Sequence, residues 1–350
     1  MNLREQLRLP VIASPMFLVS GVELVLAQCK AGIVGSFPAL NARPAGALDE
    51  WLVRIKDGLD AAGRPAPFAV NLIVHGTNER LSRDLETCVR HEVPILITSL
   101  RPPGEVVAAV HSYGGLVFHD VTTLRHAQKA AEQGVDGLIL VCAGAGGHAG
   151  RLSPFALLAE VRRVFGGPIA LAGAITSGHG ILAAQALGAD FAYIGTRFIA
   201  TQEANAAAAY KQMIVDCAAA DIVYTDAVSG IHGNYLAPSL QAAGIDPNGP
   251  SERSGQGAYA APGQRSKAWR DIWGAGQGVG GNFERKALPR NEEYDPATDR
   301  WQARAPLPEP RDHLGVAAAD GKIYAFGGFA SSVHQGAGNG AFEYDPANDG

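Results

Sequence analysis

The chain has 350 residues, of which 47% are hydrophobic and 18% are charged, so it can bury a large core and is not a disordered chain. Its formal net charge is −5 and no stripe of lysine and arginine stands out, which argues against nucleic acid and anionic membranes as partners. The 43 glycines favour an α/β enzyme with many tight turns at strand ends over a helical bundle.

The N-terminal apolar segment and the cysteines indicate in which cellular compartment the protein is expected. Residues 9–28 are strongly apolar, but Pro15 and Glu23 interrupt them and no small-residue cleavage site follows, so we expect a strand and a helix rather than a signal peptide. No other stretch approaches a membrane span. The cysteines are far apart, with neither a CxxC pair nor Cys/His ligand spacing; they are Cys29, Cys88, Cys142 and Cys217. We therefore expect no disulfide framework, no metal site and a cytoplasmic protein.

Eight apolar runs alternate with helical patterns between residues 11 and 196. The clearest helical patterns cover residues 81–92, 122–133 and 177–188. The runs, each interpreted as a strand, cover residues 11–16, 31–37, 68–74, 93–99, 115–121, 137–143, 168–174 and 191–196. Near-continuous apolar runs are typical of strands buried on both faces of a parallel sheet, in which each crossover needs a helix. The pattern predicts an α/β fold with a (β/α)₈ TIM barrel; an open doubly wound sheet is the alternative.

In a barrel of this kind the chemistry lies at the carboxyl ends of the strands. The residues there include Met16, Asn71, Asp120, His148, Gly173, Gly195 and Thr196. The loops after the seventh and eighth strands, with backbone N–H groups and hydroxyls, suit an anion, and we favour phosphate binding over plain turn chemistry. If the phosphate belongs to FMN, residues 13–16 and Asn71 would meet the flavin ring. Core packing of Met16 and helix capping by Asn71 are the alternatives.

One histidine lies in the glycine-rich segment "VCAGAGGHAG", residues 141–150. The glycines beside it, Gly146 and Gly147, let a flat ring or a small substrate approach the backbone closely. An imidazole can move a proton or hydrogen-bond an oxyanion, so His148 is the catalytic candidate, against the alternative of a satisfied loop histidine. His75 and His232 are weaker candidates, and no pair of histidines has metal-ligand spacing.

The region after the predicted barrel changes character. Residues 251–264 have the composition of a surface loop, and residues 266–280 predict a short helix that ends in a glycine turn. Beyond residue 281, "EYDPATDRW" recurs as "EYDPAND", and "GKIYAFGGF" lies between the two copies. This repeat resembles a kelch repeat, one blade of a β-propeller. A single blade cannot bury its own faces, so we expect residues 282–350 to be a poorly ordered kelch-like fragment.

The segments "LPVIASPM", "FAVNLIV", "GVDGLILVCAGAGGHAG", "GPIALAGAITSGHGILAAQALGADFAYIGTRF" and "KAWRDIWGAGQGVG" together resemble the nitronate monooxygenase family, over residues 9–281. The resemblance implies an FMN-containing TIM barrel that oxidises alkyl nitronates or nitroalkanes with O₂. It implies that His148 is catalytic. It implies that the flavin contacts Ala13, Ser14, Pro15, Met16, Asn71, Gly146, Gly147, Gly173, Ala174, Gly195, Thr196, Gly276 and Gln277.

The chain departs from the family pattern near the expected flavin. Many members carry an acidic residue at the end of strand six, where this chain has Val141 and Cys142, and a lysine after strand five, where it has Asp120. Both changes alter the charge near the flavin and so bear on which substrate is used. Two other functions also stay open. One is an FMN-dependent NAD(P)H:quinone or enoyl-acyl-carrier-protein reductase, and the other is an interaction module that uses the kelch-like fragment. The sequence leaves open whether the chain forms a homo-oligomer.

Overall fold

The computed structural model describes residues 3–44, 46–63, 65–246 and 272–278, and beyond them residues 291–295, 300–309, 315–319, 322–326 and 341–348. The chain divides into two compact units, Met1–Val279 and Gly280–Gly350. The division lies two residues before the boundary that the sequence predicts. No helix in the described ranges is long and apolar enough to cross a membrane.

The first unit is built around a parallel sheet. The strands of this unit, inside and outside that sheet, are β1 (Val11–Ala13), β2 (Gly35–Pro38), β3 (Phe68–Val74), β4 (Ile95–Leu100), β5 (Leu116–Val121), β6 (Gly137–Val141), β7 (Gly147–His148), β8 (Ile169–Ala172), β9 (Phe191–Ile194), β10 (Ile222–Thr225) and β11 (Gly233–Leu236). Eight of them pair in the order β1-β9-β8-β6-β5-β4-β3-β2. A parallel bridge between Ile12 and Val34 brings β2 back to β1 and nearly closes the ring. The predicted TIM-like barrel is confirmed, and the open sheet is wrong.

Helices connect successive barrel strands. They are α1 (Val22–Lys30), α2 (Ala47–Asp60), α3 (Leu81–Arg90), α4 (Gly104–His111), α5 (Leu124–Glu132), α6 (Pro154–Arg162) and α7 (Gly178–Ala186). After the last barrel strand come α8 (Thr196–Ile199), α9 (Ala208–Asp216) and α10 (Ala237–Ala242). Two of them start at a hydroxyl cap, because Thr123 Oγ1 accepts from His126 N and Ser177 Oγ accepts from Gly180 N, each at 3.2 Å. The three helical patterns in the sequence correspond to α3, α5 and α7, each slightly shorter than predicted.

Alternation along the strands divides the barrel interior into two levels. A cluster of inward-facing apolar side chains, including Ala69, Ile97, Phe118, Ile139 and Phe191, fills the interior. Two residues further along four of these strands, on the same face, come Asn71, Ser99, Asp120 and Tyr193. The barrel is therefore apolar below and polar at the carboxyl ends of its strands, where the loops meet.

The segment after the barrel strands folds back over the barrel mouth. β11 pairs antiparallel with β10 on one side and with the two-residue β7 on the other. Gly274 forms an antiparallel bridge with Tyr235, and the chain bends at residues 276 and 277, within the predicted glycine turn. Residues 272–278 contain no helix. Residues 266–271 and the predicted loop over 251–264 lie outside the described residues.

The described parts of the second unit consist of antiparallel strands. β12 (Asn291–Asp295) pairs with β13 (Arg300–Arg304), and β15 (Lys322–Phe326) pairs with both β14 (Gly315–Ala319) and β16 (Ala341–Tyr344). Antiparallel pairing is compatible with a propeller blade, but it is common to many β folds. The kelch-like character of residues 282–350 and their poor order stay predictions.

Candidate active site

A cavity of about 620 Å³ lies at the carboxyl ends of the barrel strands. Its volume is within the range of about 300–1,000 Å³ that is usual for small-molecule and cofactor sites. Eleven of the residues predicted for the site line this cavity: Ser14, Pro15, Met16, Asn71, Gly146, Gly147, His148, Gly173, Ala174, Gly195 and Thr196. The structure thus brings together loops that are far apart in the sequence.

Three residues predicted to contact a flavin do not line the cavity. Ala13 is fully buried in β1, and its carbonyl accepts from Ser36 Oγ at 2.5 Å. Gly276 N donates to Thr196 Oγ1 and Gln277 Oε1 accepts from Thr176 Oγ1, both at 3.1 Å. Gly276 and Gln277 therefore hydrogen-bond two residues of the cavity wall, Thr196 and Thr176.

His148 owes its position to a strand pairing that no local pattern predicts. Gly147 and His148 form β7, and they pair with Asn234 and Gly233 of β11. Asn234 also donates from Nδ2 to the Ala145 carbonyl at 2.7 Å. The glycine-rich loop is thus held against the segment that folds over the barrel mouth, with the imidazole in the cavity wall.

A serine from the same segment orients the imidazole. His148 Nε2 lies 2.9 Å from Ser229 Oγ, and Ser229 Oγ donates to the Ile231 carbonyl at 3.2 Å. A serine hydroxyl has a single proton to donate. With that proton on the carbonyl, Ser229 Oγ accepts from Nε2–H, and the imidazole carries its lone pair on Nδ1. Burial lowers the pKa of His148, so the neutral imidazole prevails at neutral pH.

The glycines of this loop serve chain packing as well as ligand access. A Cβ at Gly276 would lie 2.0 Å from the Gly144 carbonyl oxygen, and one at Gly146 would lie 2.9 Å from Gly276 N. Real Cβ atoms do not approach backbone this closely. The segment containing residues 275–276 therefore packs directly on the loop of residues 144–146, and glycine is required on both sides.

A hydrogen-bonded chain crosses the upper barrel from β3 to β5. Asn71 Nδ2 donates to the Ile97 carbonyl at 3.2 Å and to Ser99 Oγ at 3.0 Å, and Ser99 Oγ donates to Asp120 Oδ2 at 2.6 Å. The Ile97 carbonyl can only accept, so the amide orientation of Asn71 is fixed and both its N–H groups are used. Asn71 therefore offers a ligand only its carbonyl oxygen. The alternative that Asn71 caps a helix is wrong, because the next helix has Arg80 as its N-cap.

Met16 packs in the core, as one of the two alternatives predicts, and it also lines the cavity in which the other alternative would place the flavin. Its N–H donates to Ser20 Oγ at 3.0 Å and its carbonyl accepts from Asn41 Nδ2 at 2.9 Å, which fixes the loop after β1. Its side chain packs against a buried apolar cluster that includes Val19 and Ile199, and it also lines the cavity.

Asp120 is an acid in this wall with no ion-pair partner among the residues that the structure describes. Its side chain is half-buried, and its Oδ1 is closed off from water and has no hydrogen-bond partner. Burial raises the pKa of Asp120 to about 6 against the smaller, opposite effect of the Ser99 hydrogen bond. Tyr193 from β9 is close enough for the Asp120 charge to raise the pKa of its phenol further, beyond the effect of burial.

Sequence reasoning missed several polar residues of the site, among them Ser99, Tyr193 and Ser229. Ser99 and Tyr193 line the cavity at strand positions that share a face with the apolar interior, so alternation along β4 and β9 was an available signal. Ser229 also lines the cavity but lies 81 residues from His148. No spacing rule links two such residues. The two weaker histidine candidates do not line the cavity: His75 bonds Thr77 Oγ1, and His232 packs on the ring of Tyr224.

Comparison with known proteins finds one matching family model, one similar sequence and two similar structures. Residues 3–240 match the model of the nitronate monooxygenase family. A nitronate monooxygenase of Paraburkholderia phytofirmans is 29% identical over 294 residues, 72% of this chain and 80% of that protein. The structure of FabK from Thermotoga maritima aligns with a TM-score of 0.62 and 27% identity, covering 69% of this chain and 75% of that one. A nitroalkane oxidase from Streptomyces ansochromogenes aligns with a TM-score of 0.59 and 25% identity, covering 67% and 79%.

Proposed function

Because the chain belongs to the nitronate monooxygenase family and is an oxidoreductase, we propose that it oxidises nitroalkanes or alkyl nitronates with O₂ and uses FMN to do so. The observation that carries this proposal is the neutral imidazole of His148 in the wall of a cavity at the carboxyl ends of the barrel strands. Such an imidazole can accept a proton from a carbon acid at neutral pH.

The residues present fit an FMN. The cavity has the required size, and Met16 and the Asn71 carbonyl would meet the ring system, the carbonyl as an acceptor for a ring N–H. The loops after β8 and β9, with Gly173, Gly195 and the Thr196 hydroxyl, would hold the phosphate. Ala174 would contribute by shape, since its N–H already donates to the Gly144 carbonyl at 2.9 Å. When bound, the flavin supplies the redox chemistry by accepting electrons from the substrate and passing them to O₂.

The protein itself handles the proton and positions the substrate. With a nitroalkane as substrate, His148 takes the α-proton on the nitrogen that carries the lone pair, and the C–H electron pair moves onto the nitro group. Ser229 keeps the other nitrogen protonated and holds the ring plane. With a nitronate as substrate, no proton has to be removed, and His148 hydrogen-bonds the nitro oxygens.

The first test is oxygen uptake by FMN-loaded protein that is given nitroethane or ethylnitronate in the absence of NAD(P)H. Uptake supports the proposal. A yellow protein that consumes no O₂ with either compound, but whose flavin is reduced by NAD(P)H, would move the assignment to the reductase alternative. The interaction-module alternative predicts neither uptake nor reduction.

The pH profile of nitroethane oxidation should report the His148 base. The basic form is the neutral imidazole, so kcat/KM should rise as pH increases through the pKa of His148 and then level off. Because burial lowers that pKa, the midpoint should lie below the ordinary value of about 6.5. Initial rates of O₂ uptake from about pH 4.5 to pH 8 would measure it.

The neighbouring acid also titrates near this range, so the same profile is measured in an Asp120→Asn variant. If kcat/KM of this variant still rises with pH, the ionisation belongs to His148. If the rise disappears, the ionisation belongs to Asp120, which would contradict the role of His148 as base.

Replacing Ser229 by alanine is expected to lower kcat for nitroethane by about tenfold while KM changes little, because a mispositioned base slows proton transfer without removing substrate contacts. Steady-state O₂ uptake measures both constants. The ring ¹⁵N shifts of His148 should move from one tautomer toward a mixture. A Ser229→Thr variant keeps the hydroxyl and should retain most of the rate. An unchanged tautomer in Ser229→Ala would rule out this positioning role.

A further inference from the structure

The described residues that line the cavity include a carboxylic acid but no lysine or arginine. Among the described residues that line it, the ionisable side chains are Asp120, His148, Tyr193 and Tyr210, and none is a lysine or an arginine. Both phenols have raised pKa values because they are buried, and they stay protonated. The backbone N–H groups of the loops after β8 and β9 can compensate a phosphate there. Elsewhere in the described lining an anion loses hydration without meeting a fixed cation, which is unfavourable.

Asp120, at the end of β5, lines the same cavity as His148. The loop of His148 packs on that strand end, since a Cβ at Gly150 would lie 3.1 Å from Thr122 Cβ and Gly150 N donates to the Val141 carbonyl at 3.1 Å. The proposed phosphate loops follow β8 and β9, and β6 lies between β5 and β8 in the sheet. Asp120 and His148 therefore line one cavity, and β6 separates the strand of Asp120 from β8, the nearer strand that carries a phosphate loop.

The groups around Asp120 provide no compensating charge. Its strand neighbours contribute the Ser99 hydroxyl from β4 and the apolar Ile139 from β6. Tyr193 from β9 contributes a neutral phenol, and the adjacent His119 is buried with its Nδ1 bonded to Thr98 Oγ1 at 2.8 Å. Nothing in this set supplies a positive charge to the Asp120 carboxylate or to an incoming anion.

We propose that Asp120 makes the site selective for a neutral nitroalkane over the preformed nitronate anion. The proposal rests on the function proposed above and names its substrate class. In the neutral substrate the C–H bond breaks, an N–H bond forms on His148, and the electron pair goes to the nitro group. The anion then arises beside the imidazolium created in the same step, so the pair is neutral overall. A preformed nitronate meets a neutral imidazole and an unpaired acid instead.

The test compares nitroethane with ethylnitronate in the wild-type protein and in Asp120→Asn, which removes the charge at constant shape. The wild type should show the higher kcat/KM for nitroethane. Asp120→Asn should raise the ethylnitronate-to-nitroethane ratio by about tenfold, as expected for one charge about 10 Å away at an effective dielectric constant near 20. Asp120→Glu keeps the charge and should keep the preference. Asp60→Asn is the control for net charge, because Asp60 is exposed and ends α2 at the opposite end of the barrel.

Binding provides a readout that does not depend on turnover. Propionate and propionamide have similar shapes and differ in charge, and their Kd values can be read from perturbation of the FMN absorbance. The wild type should bind propionamide more tightly, and Asp120→Asn should narrow the Kd ratio by about tenfold. Asp120→Ser is measured in parallel should Asp120→Asn fold poorly.

The two proposals fail in different ways. If neither substrate supports O₂ uptake, the proposed function fails, and the propionate-to-propionamide ratio still tests Asp120. If the wild type prefers ethylnitronate, or if both Asp120→Asn and Asp120→Ser leave the substrate and Kd ratios unchanged, charge selection by Asp120 is overturned while nitronate oxidation stands.

Discussion

Replacing His148 by glutamine is expected to lower kcat/KM for nitroethane by about 10²–10⁴-fold, the usual contribution of a general base. Glutamine has nearly the same reach and can still donate to Ser229, but it has no nitrogen that can take a proton. The expected loss is therefore in proton removal, with the shape of the cavity retained. Steady-state O₂ uptake measures the loss, and the FMN content of the purified variant checks that the cofactor site survives.

The nitronate substrate separates the two roles open to His148. Ethylnitronate has already lost its α-proton, so a pure base should matter much less for it than for nitroethane. An equal loss on both substrates would mean that His148 acts by hydrogen-bonding the nitro oxygens. His75→Gln is the matched control, since His75 is half-buried and does not line the cavity. Wild-type rates in His148→Gln would remove this histidine from the mechanism.

The barrel was predictable because its strands are buried on both faces. Such strands are recognisable as apolar runs in the sequence whatever loops join them. The residues that follow the carboxyl end of each strand are then expected in the cavity wall. This reasoning located Asn71, Asp120 and His148. It was less exact about strand length, since β1 ends at Ala13 and the residues up to Met16 form the loop that lines the cavity.

The failures come from contacts between segments distant in sequence. The sequence predicts a glycine turn near residues 272–278, but not the tertiary partners that take over the polar groups of this segment. Leu236 N donates to the Trp273 carbonyl at 2.9 Å, Trp273 N donates to Ser239 Oγ at 3.1 Å, and the indole stacks on Tyr210 at a centroid distance of 5.0 Å. A local pattern contains no information on these partners, and the same holds for Ser229.

The interpretation of the glycine-rich loop also changes once the packing is known. From the sequence, glycines beside His148 suggest room for a ligand. Gly147 does line the cavity and has a φ of +69°, a conformation that favours glycine. Gly146 lines the cavity too, but its missing Cβ is also what lets the segment containing residues 275–276 approach. The positioning of His148 therefore depends on a segment that is far away in the sequence.

This dependence leads to a strong prediction for Gly276→Ala. The new Cβ would meet the Gly144 carbonyl oxygen at 2.0 Å and Gly146 N at 3.0 Å, and both are backbone atoms of the loop that leads to His148. Overpacking of this kind typically costs about 1–3 kcal/mol and shifts the backbone. We expect a lower Tm for the barrel unit, weaker FMN binding and a loss of nitroethane oxidation that exceeds the loss of stability. Thermal unfolding, FMN titration and O₂ uptake measure the three effects.

Gly166→Ala provides the matched control, because a Cβ there meets nothing within 4 Å. It adds the same methyl group to the same barrel and should leave Tm, FMN affinity and rate close to those of the wild type. The comparison isolates the contact between residue 276 and the loop of residues 144–146. If Gly276→Ala retains the wild-type Tm and rate, then that contact does not position the imidazole, and β7 with Ser229 must suffice. If only the rate falls while the Tm is unchanged, the contact serves catalysis through the placement of His148 and contributes little to folding.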